Sequence, residues 1–149
     1  MRSFLVLAAL FVVTSALAQT QLEPVKWNFS LGEDGGVYAV LAQAEVAEGW
    51  FIYSQFIDDG GPIPTSIDLT ETDGITLRGP AVEEGDKIAG YDKLFEMEVA
   101  KFKHHASFTQ AFDLADAGTP VVGYLEFMAC TDKKCLPPST VSFEFATAQ

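Results

Sequence analysis

Apolar and polar residues alternate with a period of two along most of this chain, and no stretch repeats every 3.6 residues over three turns. Val25, Trp27, Phe29 and Leu31 alternate with Lys26, Asn28 and Ser30, and Val141, Phe143 and Phe145 with Ser142 and Glu144. That period places one set of side chains on each face of an extended strand and does not suit an amphipathic helix. Further β-prone runs lie at 36–46, 50–56, 65–69, 74–77, 97–102, 107–114 and 121–129. Turn signals such as Glu48-Gly49 and Asp58-Asp59-Gly60-Gly61-Pro62 separate them. About nine strands at this spacing predict an all-β fold, an antiparallel β-sandwich of immunoglobulin-like type. There is no internal repeat, low-complexity tract or linker, so one domain is expected.

The first eighteen residues stand apart from the alternation. Arg2 gives a positive start, Phe4 to Leu17 is an apolar run broken only by Thr14 and Ser15, and Ala16-Leu17-Ala18 supplies an A-x-A end. This is the layout of a secretory signal peptide (1–18) cut between Ala18 and Gln19. A membrane span needs about 20 apolar residues, more than the fourteen here, and no cysteine follows to carry a lipid. The mature domain is then 19–149, an exported, soluble product without membrane insertion.

Charge narrows the partners. Nine Lys and Arg stand against 21 Asp and Glu, a net charge of −12 that becomes −13 once Arg2 leaves with the leader. A surface this acidic repels phosphate backbones and anionic bilayers, so nucleic acid is excluded. Hydrophobic content of 48% belongs to a globular protein. A domain of this size buries roughly two thirds of its unfolded surface, enough for one core without covalent staples.

That sufficiency bears on the two cysteines, Cys130 and Cys135, with Thr131-Asp132-Lys133-Lys134 between them. Two are too few for a disulfide scaffold or a four-thiolate zinc site. Bridging so short a loop removes roughly 7 cal/mol/K from the unfolded state, about 2 kcal/mol, against about 5 for a loop of a hundred residues. A bridge built for stability would span the two sheets. A short bridge at a strand end is a weak staple and an accessible one, and accessible disulfides tend to be the reactive ones. The spacing by itself leaves three uses open: a redox pair, a clamp on a hairpin end, and metal ligation. The flanks favour the first. Lys133 and Lys134 bring positive charge that stabilises a thiolate, partly offset by Asp132. Pro137-Pro138 cannot donate to a sheet ladder, which holds Cys135 at a sheet edge; they also serve as punctuation before the strand at Thr140.

Tyr124-Leu125-Glu126-Phe127-Met128-Ala129-Cys130, followed by Cys135-Leu136-Pro137-Pro138, resembles the active-site hairpin of the N-terminal periplasmic domain of the thiol–disulfide interchange protein DsbD. Gly49-Trp50-Phe51-Ile52-Tyr53-Ser54-Gln55, Gly60-Gly61-Pro62-Ile63-Pro64-Thr65 and Tyr91-Asp92-Lys93-Leu94-Phe95 resemble further segments of that family in the same order, so the resemblance covers about residues 24 to 146. It implies an immunoglobulin-like sandwich in the periplasm, carrying a reversible redox cysteine pair and no cofactor. It implies thioredoxin-fold proteins as electron donor and acceptor. Cys135 would be the thiol that forms mixed disulfides and Cys130 its partner. A loop phenylalanine caps the pair in this family; Phe95 is the candidate, with Asp92 of the same loop second. Phe95 also fits a plain core position at a strand start. Two departures accompany the resemblance. Four residues separate the cysteines where some members have five, which bears on loop strain. The family's best-known architecture adds a membrane electron-transfer domain and a thioredoxin-like domain, whereas this sequence stops at Gln149. The expectation is a monomeric domain fed in trans, with a separate membrane electron-transfer protein upstream.

Other features are read as structural. His104-His105 is expected in a surface turn; on a strand the two would face opposite ways, which makes joint metal chelation awkward. Asp58, Asp59, Glu83, Glu84 and Asp86 are read as solvated loop charges rather than a calcium site. Asn28-Phe29-Ser30 matches a glycosylation sequon but sits inside an expected strand. No metal site is expected. Two functions from different classes follow: a thiol–disulfide interchange domain, and a non-catalytic immunoglobulin-like binding module whose bridge is structural.

Overall fold

The computed structural model describes residues 22–147, so the expected signal peptide lies outside the described residues. Among the described residues ten strands build two antiparallel sheets: β1 (Val25–Asp34), β2 (Val37–Val46), β3 (Phe51–Tyr53), β4 (Ser66–Asp68), β5 (Ile75–Leu77), β6 (Val82–Asp92), β7 (Met97–Leu114), β8 (Val121–Phe127), β9 (Ala129–Cys130) and β10 (Ser139–Phe145). The larger sheet runs β1-β2-β7-β3-β9, with β5 and β6 on the other edge of β7; the smaller runs β10-β8-β4. No helix among the described residues is long and apolar enough to cross a membrane.

The period-two pattern becomes a two-layer core. β2 buries Tyr38, Val40, Ala42, Ala44 and Val46, and β8 buries Val121, Gly123, Leu125 and Phe127, each alternating with more exposed residues. Between the sheets, Ile52, Phe102 and Phe108 pack with Leu125 and Phe127. Further along, Val40 and Phe112 pack with Leu69, Val121 and Phe143. The alternation in the sequence thus yields the antiparallel β-sandwich it predicts.

Three details differ from the sequence expectation. Glu83, Glu84 and Asp86 lie on β6, an eleven-residue strand along β7, and not in a loop. The expected strands at 97–102 and 107–114 are one strand of 18 residues. His104-His105 is therefore no turn but a bulge within it. The β6 register jumps from Gly85↔Ala106 to Asp86↔Lys103, and His104 takes a left-handed φ of 57°. Gly85 allows the strands to approach there, since a Cβ would lie 2.8 Å from Ala106 Cα. At this bulge β7 exchanges one neighbour for another: its first half pairs with β3, its second with β2.

Candidate redox site

The cysteine segment is the bent tip of a hairpin that leaves one sheet for the other. β8 ends in the smaller sheet at Phe127. After Met128, Ala129 and Cys130 pair instead with Ile52 and Phe51 of β3, in the larger sheet. The chain is back in the smaller sheet at Ser139, which pairs with Phe127. Within the tip, Leu136 N–H donates to the Ala129 carbonyl (2.9 Å) and Thr131 N–H to the Lys134 carbonyl (2.7 Å). Thr131 Oγ1 accepts the amides of Lys133 and Lys134, each at 3.2 Å. This tight turn brings Cys130 and Cys135 opposite one another in an antiparallel bridge, where they form a disulfide with Cα atoms 4.0 Å apart. β9 is the last strand on its path of the sheet, so the disulfide sits at a sheet edge. Pro137 and Pro138 lack the N–H groups that would extend the ladder.

Successive residues of a strand point to opposite faces. Ile52, Phe102 and Ala129 point into the sandwich core. Phe51, Lys101 and Cys130, their neighbours in the chain, therefore face outward. On this outer face Phe51, Tyr53, Val99 and Cys130 form a separate small cluster, with Ile57, Phe95, Met97, Met128 and Cys135 packed against it. Cys130 is fully buried and Cys135 partly exposed. The rings of Phe51 and Tyr53 meet edge to face at 5.6 Å, and those of Tyr53 and Phe95 at 6.0 Å. Gly61 belongs to the segment after β3 that helps cover the face. A Cβ on it would lie 2.6 Å from Met97 Sδ, so a larger residue there would make the Met97 side chain shift.

Phe95 is carried at the tip of the β6–β7 hairpin, whose last paired residues are Asp92 and Met97. The Asp92 side chain is buried. Its Oδ1 accepts the backbone amides of Leu94 (2.9 Å) and Phe95 (3.4 Å). Its Oδ2 accepts the Tyr53 hydroxyl (3.0 Å) and lies 3.7 Å from Lys101 Nζ. Burial, then the hydrogen bond and charge of Asp92, then the charge of Asp132, push the Tyr53 phenol well above its usual range. The Lys101 ammonium lies 3.8 Å from the centroid of the Phe51 ring. A cleft of about 250 Å³ between the two hairpin tips is lined by Tyr91, Asp92, Lys93, Lys101 and Asp132.

The expected site residues thus fall in three places. Cys130, Cys135 and Phe95 come together in one apolar cluster. Asp92 lies beneath the same loop, where its carboxylate accepts the Leu94 and Phe95 amides. Lys133 and Lys134 lie exposed on the turn, and the Lys134 ammonium rests 5.9 Å from the Trp50 ring. Sequence reasoning missed Tyr53, Lys101, Val99 and Met97. A signal existed for the first: Phe51-Ile52-Tyr53 is apolar on both faces, the mark of a strand covered on both sides. His104 does not converge with the site; its ring reaches Glu48 (3.2 Å) and Asp86 (3.4 Å) at the bulge.

The disulfide thus sits at the edge of a β-sandwich, packed into an aromatic cluster of its own. The chain belongs to the family described as thiol:disulfide interchange protein DsbD, N-terminal, whose model matches residues 18–147. Among solved structures, the reduced DsbD N-terminal domain of Neisseria meningitidis is similar at 19% identity. The match has a TM-score of 0.57 and covers 85% of this chain and 87% of that one. The N-terminal periplasmic domain of ScsB from Proteus mirabilis is similar at 13% identity and a TM-score of 0.61, over 87% of this chain and 49% of that one. A complex between the DsbD and PilB N-terminal domains of Neisseria meningitidis matches at 20% identity and a TM-score of 0.54, over 89% of this chain and 94% of the matched chain. These likenesses bear on the fold, which they identify as immunoglobulin-like; no curated protein matches the chain. Family membership together with the disulfide supports thiol–disulfide oxidoreduction as the general chemistry.

Proposed function

We propose that this protein is an exported, periplasmic interchange domain that relays reducing equivalents between thioredoxin-fold proteins through Cys130 and Cys135. The observation that carries the reading is the asymmetry of the pair: one sulfur atom belongs to a fully buried residue, the other to a partly exposed one, at the open edge of a sheet. In the reduced domain the Cys135 thiolate attacks a sulfur of the partner's disulfide, forming a mixed disulfide and releasing one partner thiolate. The Cys130 thiolate then attacks Cys135 Sγ, closes the Cys130–Cys135 bond and releases the second partner thiolate. Two electrons pass to the partner, and two protons balance the charge. A donor dithiol reverses the sequence and regenerates the domain.

Phe95 caps the reduced pair against adventitious oxidation and moves aside when a partner docks; its packing against the cysteine cluster supports this. Tyr91 and Leu94, exposed apolar residues beside it, offer the partner a surface. Lys133 and Lys134 give the attacking sulfur a positive surrounding. The complex solved for a Neisseria relative involves a second protein's N-terminal domain, in keeping with a role in docking. A monomeric domain cut after Ala18, with donor electrons arriving in trans from a membrane electron-transfer protein, completes the reading. A redox titration tests it. The domain should show a reversible two-electron couple and exchange disulfides with thioredoxin-like proteins. A bridge that dithiol reductants cannot open in the folded state would return the domain to the binding-module reading.

A further inference from the structure

The mid-strand position of Lys101 is unlike that of any other cation near the site. It sits in β7 between Tyr53 of β3 and Ile88 of β6, on the outer face that carries the cysteines. Its side chain is only 15% exposed, its ammonium lies on the Phe51 ring, and Phe51 pairs directly with Cys130. Asp92, whose side chain is 4% exposed, is its ion-pair partner. A buried carboxylate needs a compensating charge as well as hydrogen bonds. Tyr53 and the amides of Leu94 and Phe95 supply the hydrogen bonds. Among the described residues, Lys101 is the one cation within ion-pair distance of Asp92; Lys93 lines the same cleft without reaching it. Two of the groups that satisfy Asp92 are the backbone amides of the loop bearing Phe95. Anything that unsettles the carboxylate therefore releases the loop.

We propose that Lys101 is a positioning residue for the redox pair: its ammonium, seated on Phe51, anchors the Asp92 carboxylate and so keeps the loop that carries Phe95 closed over Cys130 and Cys135. The proposal rests on the reading of Phe95 as the cap. Without the cation, Asp92 is an uncompensated buried charge, and opening the loop to hydrate it becomes favourable. The closed population falls and the thiols of the reduced domain become reachable more often.

The test is the rate at which iodoacetamide alkylates the reduced domain, followed by mass spectrometry. When a site reacts only in its open state, that rate scales with the open fraction. Lys101→Met is expected to raise it on the order of tenfold. Lys101→Arg, which keeps the charge and stacks on an aromatic ring, should restore a rate near that of the parent. Asp92→Asn reads the same contact from the other side and should be fast as well. The double variant Lys101→Met, Asp92→Asn should be no faster than either single one, because both remove one interaction. An unchanged rate in Lys101→Met, a Lys101→Arg as fast as Lys101→Met, or additive effects in the double variant would overturn the proposal. Should Lys101→Met fail to fold, an unchanged rate in Asp92→Asn overturns it alone. Phe95→Ala separates the two readings. If it is fast while Lys101→Met is not, the cap stands and the anchor falls; if Phe95→Ala matches the parent, the cap itself is wrong.

Discussion

Cys130 and Cys135 share a bond yet occupy different surroundings: Cys130 pairs with Phe51 inside the sheet, while Cys135 lies beyond the last ladder pair. In the proposed exchange a partner reaches the sulfur of Cys135 first, and the buried one resolves the intermediate. With Cys130→Ala, mixed disulfides with thioredoxin-like proteins should accumulate through Cys135 and persist on non-reducing gels; trapping that instead requires Cys130 would invert the two roles. Tyr53 offers a second residue-level measurement. Its hydroxyl donates to a buried carboxylate, so Tyr53→Phe should cost about 1–2 kcal/mol in denaturant unfolding. These residues were not equally readable beforehand. The cysteines, Phe95 and Asp92 lie in motifs that declare themselves. Lys101 does not: in Lys101-Phe102-Lys103 the lysines look like the solvent face of a strand. Only the loop folded back over that face makes one of them a buried partner.

At the level of elements, Glu83 ties the start of β6 to the segment that follows β3. Its carboxylate accepts Ser54 Oγ (2.6 Å), Gln55 N–H (3.0 Å) and Lys87 Nζ (2.6 Å). Burial alone would raise its pKa, but these three partners outweigh burial and hold it below the usual carboxylate value. A depressed pKa in the folded state means stability that is present above the ordinary Glu pKa and lost as pH falls through the folded one. Glu83→Gln should cost about 1–2 kcal/mol at neutral pH, since Lys87 is partly exposed and screened. It should also flatten the loss of stability in acid, and denaturant midpoints measured from pH 7 to pH 3 check both. β6 escaped the sequence pattern because Glu83-Glu84-Gly85-Asp86-Lys87 hides any apolar alternation. That polarity is what an edge strand needs to avoid pairing with another molecule. The continuity of β7 was hidden by the His104-His105 bulge, where polar residues interrupt two runs that read well alone. By contrast β2 and β8, half-buried and free of bulges, were legible almost residue by residue.

For the whole molecule, the disulfide lies outside the layer that holds the sandwich together. Its cluster sits on the outer face of the larger sheet, whereas the two main clusters lie between the sheets. Replacing both Cys130 and Cys135 with Ala should therefore leave a folded domain, with a loss of about 2 kcal/mol by the short-loop relation. Thermal unfolding that stays cooperative after the change would bear this out, and an unfolded product would refute it. The same separation says something about how such a domain can vary. Substitutions on the two faces should add where they share no neighbour; Trp50, packed against the interior and within reach of Lys134, is a place where the two meet. A lineage could therefore alter the outer cluster and lose no more stability than that cluster and its bridge supply.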